Sequence, residues 1–182
     1  MKNKQLFILL LVSTCVCFSS CKKQPDTVAE IDKLPPATQT GANTMGALVN
    51  GQAFVSNNYQ CNYIYTNGGY YLTITGTNDN NKDYIVDLML STTLLSVTEG
   101  QTLKLEDYNT SGKANATYNL ITNTSLLPEY QTTSVVSGQM HINKFDQINQ
   151  IISGTFFFNA IKLSTKDTVH VTDGRFDMRY TR

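Results

Sequence analysis

The sequence predicts an all-β fold: one antiparallel β-sandwich or partly closed β-barrel of about nine or ten strands, preceded by a signal peptide and a proline-containing tether. From Met45 onward Val, Ile, Thr, Tyr and Phe dominate and alternate with polar residues, which is the two-residue period of half-buried strands. Turn-forming residues recur about every 8–15 residues, and no window carries a persuasive helical period. A single open sheet of so many strands would leave a large apolar face in water, so we expect two packed sheets or a barrel.

Residues 1–20 have the pattern of a bacterial lipoprotein signal peptide. Two lysines among the first four residues precede an apolar run at residues 6–18, which is shorter than the ~20 residues that span a bilayer. Ser19 and Ser20 then stand before Cys21, and this break resembles a lipobox. The resemblance implies that Cys21 carries acyl chains such as palmitate and becomes the N-terminus. The alternative is an ordinary signal peptide that happens to contain cysteines.

The cysteines and the charge narrow the class of protein further. Cleavage before Cys21 would remove Cys15 and Cys17, so Cys61 would remain alone and the mature domain would have no internal disulfide. The mature chain of 162 residues is long enough for one domain with a sizeable core. It would carry 12 basic and 14 acidic residues, and no basic patch points to a nucleic-acid partner.

Residues 21–44 are predicted to form the lipidated cysteine and a tether, and residues 45–182 the all-β domain. Pro25, Pro35 and Pro36 disfavour a helix or a central strand in the tether. Residues 34–44 could either belong to this extended segment or dock on the domain, and the sequence leaves both possibilities open.

Asn-Gly pairs predict two β-hairpins with two-residue type I′ turns. Asn50-Gly51 sets Val49 opposite Gln52 and Ala47 opposite Phe54. The pair at residues 67–68 sets Tyr65 opposite Tyr70, Tyr63 opposite Leu72 and Cys61 opposite Ile74. The core face predicted for the second hairpin comprises Tyr59, Cys61, Tyr63, Tyr65, Tyr70, Leu72 and Ile74.

Asp173-Gly174 predicts a third hairpin of the same type near the C-terminus. Its register sets Val171 opposite Phe176 and Val169 opposite Met178 as core pairs. The same register places Arg175, and the pair His170 and Asp177, on the solvent face. Further strands are predicted at residues 84–90, 115–121 and 139–143. Another predicted strand has Phe156, Phe158 and Ala160 on one face.

Three segments carry a resemblance to a known family. They are residues 34–51 (LPPATQTGANTMGALVNG), 152–160 (ISGTFFFNA) and 171–177 (VTDGRFD). In these the chain resembles an uncharacterised family of small all-β lipoproteins of Bacteroidota, filed under unknown function. The resemblance implies an address in the cell envelope, at the outer membrane, and brings no catalytic residues. Lys22 and Lys23 differ from the acidic signal that directs many such proteins to the cell surface, so the leaflet stays open.

Candidate catalytic and metal-binding residues are few. His141 and His170 each fall on the polar side of a strand, where a solvated histidine is expected. Cys61 is predicted to be an inert core thiol, because a reactive one needs an electropositive, partly exposed setting. The sequence shows no G-x-S-x-G or H-E-x-x-H motif. We therefore expect no catalytic, cofactor-binding or metal-binding residue, and Cys21 as the one modified position.

Two acidic segments are weaker candidates. Residues 77–83 offer oxygen atoms for calcium, but they lack the acidic spacing of an EF-hand and are better explained as a loop of turn-forming residues. Glu106 and Asp107 are adjacent, so on a strand they would face opposite ways and make a poor acid–base pair.

These observations favour a membrane-tethered binding or structural module of the envelope, recognising a glycan, a peptide or an envelope protein. The alternative is a lipocalin-like carrier of a small apolar ligand, which requires a closed barrel with an apolar cavity. A hydrolase is a third hypothesis, weakened by the shortage of histidines.

Overall fold

A computed structural model describes residues 28–121 and 129–182. The predicted signal peptide and Cys21 lie outside the described residues. No helix in the described part of the chain is long and apolar enough to cross a membrane. Its regular elements are one short 3-10 helix, Glu30–Lys33, and eleven β-strands. The strands are β1 (Thr44–Val49), β2 (Gln52–Val55), β3 (Asn58–Thr66), β4 (Gly69–Asn78), β5 (Ile85–Thr93), β6 (Thr102–Leu105), β7 (Lys113–Ile121), β8 (Tyr130–Gln131), β9 (Gly138–Asp146), β10 (Ile151–Ile161) and β11 (Thr168–Arg179).

The strands form one sheet in the order β2-β1-β11-β10-β9-β6-β7-β5-β4-β3, and β8 pairs with both β10 and β7. Strands β10, β9, β6, β7 and β8 therefore close a five-stranded barrel, and the other six extend from it. All pairs are antiparallel except β6 with β7. The all-β fold predicted from the sequence is confirmed, and of the predicted sandwich or partly closed barrel the partly closed barrel is observed, with eleven strands in the described residues rather than about nine or ten.

The extended part of the sheet curls until its two ends meet. The Asn57 N–H donates to the Thr77 carbonyl, and the Asn78 side-chain amide donates to the Val55 carbonyl. On the far side the Thr181 N–H donates to the Cys61 carbonyl. Because the sheet closes in this way, its inward face encloses one continuous core.

The core is a single cluster that collects the inward residues of nearly every strand. The inward positions predicted for Phe156, Phe158 and Ala160 are confirmed, since all three are buried. The largest side chains with almost no exposed surface are Tyr180, Phe158, Met45, Leu72, Ile74, Leu88, Leu90, Leu105, Met140, Ile142, Ile152 and Met178.

Both Asn-Gly hairpins are confirmed residue for residue. At each turn the asparagine and the glycine both have positive φ, 49° and 81° at Asn50-Gly51 and 52° and 82° at Asn67-Gly68, as a type I′ turn requires. The turn residues alone therefore fix the register of these two hairpins.

The predicted core face of the second hairpin is only partly correct. Cys61, Leu72 and Ile74 are buried, but Tyr59, Tyr65 and Tyr70 are 48%, 63% and 39% exposed. These tyrosines lie near the ends of β3 and β4, and Tyr65 and Tyr70 pack there on other tyrosines. The ring of Tyr70 stacks on Tyr63 at 4.7 Å and meets the edge of Tyr65 at 5.0 Å.

The predicted third hairpin is wrong, because Asp173-Gly174 lies inside the continuous strand β11. Asp173 has a φ of 54°, but Gly174 does not share the positive φ that a type I′ turn needs. Against both neighbouring strands the register shifts by one residue here, which defines a β-bulge. The bulge reverses which residues face inward, so Val169, Val171, Phe176 and Met178 are all buried without being paired with one another.

Gly174 is required at the bulge by a close contact with an aromatic ring. A Cβ on Gly174 would lie 2.4 Å from the Phe156 ring. The bulge therefore packs tightly against β10.

Asp177 and Arg175 also differ from the prediction. Asp177 is buried, and it does not face His170 across a hairpin. Arg175 is half-buried, and its Nη1 donates to the Pro35 carbonyl at 3.4 Å. Both residues are covered by residues 34–43, which we call the strap. Of the two possibilities that the sequence allows for this segment, docking on the domain is the one observed.

The strap docks on the domain through the Asp177 carboxylate. The carboxylate accepts hydrogen bonds from the backbone N–H groups of Thr40, Gly41 and Ala42 at 2.7–3.2 Å. It also accepts hydrogen bonds from the hydroxyls of Thr38 and Thr40 at 2.6 and 3.2 Å. Burial by itself would raise the pKa of Asp177, but these hydrogen bonds stabilise the ionised form and hold the pKa below its usual range.

Candidate functional site: a cleft lined by amides and tyrosines

A cleft of about 820 Å³ opens between one end of the curled sheet and strands that lie closer to its other end. One wall is the β1–β2 hairpin, and the other comprises the β4–β5 connection with the start of β5 and the end of β7. We call it the amide cleft. It is lined by Val49, Asn50, Gln52, Ala53, Phe54, Asn78, Asn80, Asn81, Tyr84, Val86, Tyr118 and Leu120.

Three asparagines of the amide cleft have fixed orientations. The Oδ1 atom of Asn50 accepts the His170 N–H at 2.9 Å, and that of Asn81 accepts the Asp83 N–H at 2.8 Å. The Oδ1 atom of Asn80 accepts the Asn57 amide at 3.0 Å. Each oxygen accepts one donor, which orients the side chain and leaves its NH₂ group available to donate to a ligand. These NH₂ groups have no hydrogen-bond partner among residues 28–121 and 129–182.

The apolar part of the cleft consists of aromatic and aliphatic side chains. Phe54 and Tyr118 are buried, while Tyr84 and Leu120 are each 38% exposed. Burial raises the pKa of Tyr118, so its hydroxyl stays protonated across the physiological range. The combination of a partly exposed tyrosine with neutral amide donors is suited to a ligand that has both an apolar ring face and acceptor oxygens.

The lining residues carry no carboxylate, imidazole, thiol or amine. The polar lining groups of the cleft are amides and the hydroxyls of Tyr84 and Tyr118, which can form hydrogen bonds with a ligand.

The histidines and the cysteine considered from the sequence lie elsewhere and do not come together. His141 is half-buried on β9, where its Nδ1 lies 2.8 Å from the Thr102 hydroxyl, and His170 is exposed on β11, 2.7 Å from the Asn159 side chain. Cys61 is buried, and burial raises the pKa of its thiol to about 12. It is an inert core thiol, as the sequence predicts.

The acidic segments take structural roles. The sequence suggested that Glu106 and Asp107 face opposite ways on a strand. In the structure they lie just after β6, and their carboxylates are on the same side. Both carboxylates contact Lys113, at 3.4 and 2.8 Å, because the chain has left the strand conformation. Within residues 77–83, Asp79 accepts the Asn57 amide at 2.6 Å. No group of three or more metal-ligating side chains is found in the described part of the chain.

Sequence reasoning does not identify the amide cleft, although the chain contains a usable signal. The local patterns mark Asn50 only for its turn and residues 77–83 only as a loop. They place Tyr84 in a strand and assign Tyr118 to no face. The feature that links them is the richness of asparagine in two turns that the curled sheet brings together.

A family model described as Domain of unknown function (DUF6252) matches residues 42–178, which is most of the chain. The chain belongs to this family. The DUF6252 match includes every residue that lines the amide cleft, and it agrees with the uncharacterised family predicted from the sequence. No curated protein and no solved structure was found to match the chain at a significant level.

Proposed function

We propose that this DUF6252 protein is a non-catalytic binding module of the cell envelope, and that the amide cleft binds a neutral glycan. The observation that carries the proposal is the lining of the cleft, which combines amide NH₂ donors with Tyr84 and has no charged side chain. Sugar hydroxyl and ring oxygens accept such hydrogen bonds, and the apolar face of a sugar ring can pack on a tyrosine.

The interior of the domain favours this function over a carrier of apolar molecules. A carrier needs an apolar cavity inside the barrel. Here Met140, Phe158 and Tyr180 are almost completely buried and belong to one packed core cluster. A ligand is better accommodated in the amide cleft, which opens to solvent and is rich in polar groups.

Variants of the cleft test the glycan proposal. Tyr84→Ala and Asn81→Ala should each weaken binding of a neutral oligosaccharide about tenfold, because each removes one direct contact and tenfold corresponds to ~1.4 kcal/mol. Binding partners would first be selected with the full chain in detergent on an array of neutral and acidic glycans. Affinities would then be measured by calorimetry.

The matched control is Tyr65→Ala, which removes an exposed tyrosine that does not line the cleft. It should leave glycan affinity unchanged. Equal affinities of the wild type and both cleft variants for the selected glycan would contradict the proposal.

The module is proposed to be held on the membrane, at the outer membrane of the envelope, by acyl chains on Cys21. The support is the sequence pattern of residues 1–21, and two acyl chains give stable anchoring. Cys21→Ala should abolish incorporation of an acyl-chain probe during growth and leave the precursor uncleaved or the product unanchored. Undiminished labelling of this variant would assign the lipid to another residue, and Cys61→Ala serves as the control that should label normally.

A further inference from the structure

A second group of side chains forms a platform on the outer face of the sheet, and no residue of it lines the amide cleft. Strand register places Arg175 on β11 opposite Thr155 on β10, Thr155 opposite His141 on β9, and His141 opposite Thr102 on β6. The next row sets Phe157 opposite Gln139. Four neighbouring strands thus present one continuous row of polar side chains beside an aromatic ring.

The platform forms the floor of a groove, and the strap forms one of its walls. The groove has a volume of about 490 Å³, and Ala37 of the strap contributes to its lining. Phe157 is 52% exposed although its neighbours Phe156 and Phe158 are buried. An exposed phenyl ring beside the row of polar side chains provides a flat apolar surface for a ring-shaped ligand.

The platform has one cation, Arg175, and one carboxylate, Asp173, and the Arg175 guanidinium is held in position from two sides. The Arg175 Nε donates to the Asp173 carbonyl at 3.2 Å, and Nη1 donates to the Pro35 carbonyl of the strap at 3.4 Å. The β-bulge at Asp173 supplies the first of these contacts, and bulges commonly re-aim side chains next to binding sites. The guanidinium is therefore oriented before any ligand arrives.

Within the part of the chain that the structure describes, the guanidinium has no ion-pair partner. Among residues 28–121 and 129–182 no carboxylate lies within 4.0 Å of Arg175, whereas several surface lysines are paired. Guanidinium groups bind carboxylates through paired, charge-assisted hydrogen bonds. An unpaired, oriented guanidinium next to an exposed phenyl ring is thus suited to a ring that carries a carboxylate.

We propose that the platform is a second saccharide site, specific for an acidic sugar such as a uronic acid. The sugar ring packs on Phe157, its carboxylate pairs with Arg175, and Gln139, Thr155 and Asp173 bind its hydroxyl groups. This site is independent of the amide cleft, and each can be present without the other.

The probe is a tri-galacturonate, with the matching neutral galacto-oligosaccharide as its uncharged counterpart. Calorimetry on the full chain in detergent should show binding of the acidic probe that weakens as salt is added. Arg175→Gln should weaken this binding at least about tenfold, because it removes a charge-assisted pair. Phe157→Ala should weaken it to a similar extent.

Two control variants test whether the acidic probe binds at the platform itself. Arg179→Gln, which removes a more exposed arginine from the same strand, should change the affinity for the acidic probe less than about twofold. Tyr84→Ala should leave it unchanged, since that residue belongs to the amide cleft. A thermal melt of each variant confirms folding, and Phe157→Ala decides the question if Arg175→Gln fails to fold.

The proposal is overturned if the acidic probe does not bind at millimolar concentration, or if it binds no better than the neutral one. It is also overturned if Arg179→Gln weakens binding as much as Arg175→Gln, which would indicate non-specific attraction to surface charge. Loss of neutral-glycan binding in Tyr84→Ala, with acidic binding retained, would support both sites separately.

Discussion

Phe176→Ala is expected to lower the free energy of unfolding by about 3–5 kcal/mol, the usual cost of removing a buried aromatic side chain. Phe176 is 2% exposed, and its ring lies 6.3 Å from the ring of Phe156. Gly154 lies directly against the same ring, because a Cβ there would come within 2.7 Å of it. Glycine has no side chain that could move into the cavity. Urea denaturation followed by tyrosine fluorescence measures the loss.

Phe157→Ala is the matched control, since it removes the same side chain from a half-exposed position on the adjacent strand. We expect its effect on stability to be well under that of Phe176→Ala. A typical domain is stable by only ~5–15 kcal/mol, so the two variants should be easy to distinguish. If Phe157→Ala were the more damaging, the inward and outward faces assigned to the β10–β11 pair would be reversed.

Asp177→Ala is expected to destabilise the domain by about 3 kcal/mol or more, because one hydrogen bond to a charged group already contributes ~1.5–3 kcal/mol. The substitution leaves three backbone N–H groups and two hydroxyls of the strap without their common acceptor. Denaturant unfolding at neutral pH measures the effect. Asp173→Asn, which neutralises an exposed carboxylate on the same strand and tolerates the φ of 54° there, should change stability much less.

The contribution of Asp177 should depend on pH in a defined direction. Its pKa is lowered in the folded protein, so the unfolded chain binds the proton more readily. The stabilisation is fully present above the unfolded pKa of about 3.9 and is lost as the pH falls through the lower folded value. In Asp177→Asn this dependence should disappear, so the stability gap between wild type and variant should narrow below about pH 4. A gap that stays constant would show that the carboxylate charge does not hold the strap.

The hairpins show which parts of the fold are encoded locally. Asn50-Gly51 and Asn67-Gly68 each adopt the two positive φ angles of their turn, and this local preference is enough to predict every cross-strand partner. Asp173-Gly174 has nearly the same chemistry, yet it forms a bulge. Turn and bulge both accept a positive φ at the first residue, so the local pattern does not distinguish them. The competing factor is the presence of β1 and β10 on either side of β11, which no local pattern reports.

The other differences between the predicted and the observed structure arise from contacts between residues that are far apart in the sequence. The alternation of β3 and β4 predicts which face is apolar, but it does not show how far the core extends, so the prediction places Tyr65 in the interior. The prediction places Asp177 in solvent because its donors lie about 136 residues away along the chain. The amide cleft combines segments near Asn50, Asn80 and Tyr118, and only the curled sheet brings them together.

The docked strap limits how far the domain can stand from its proposed lipid anchor. The chain is attached to the domain from Glu30 onward, since the Glu30 carboxylate accepts the Ala53 N–H at 2.8 Å. Eight residues separate Cys21 from Glu30. Even at full extension they span only roughly 30 Å at ~3.3–3.6 Å per residue. A domain with so short a linker would bind ligands only within a thin layer above the lipid headgroups. It would meet other anchored molecules mainly by lateral diffusion in the membrane.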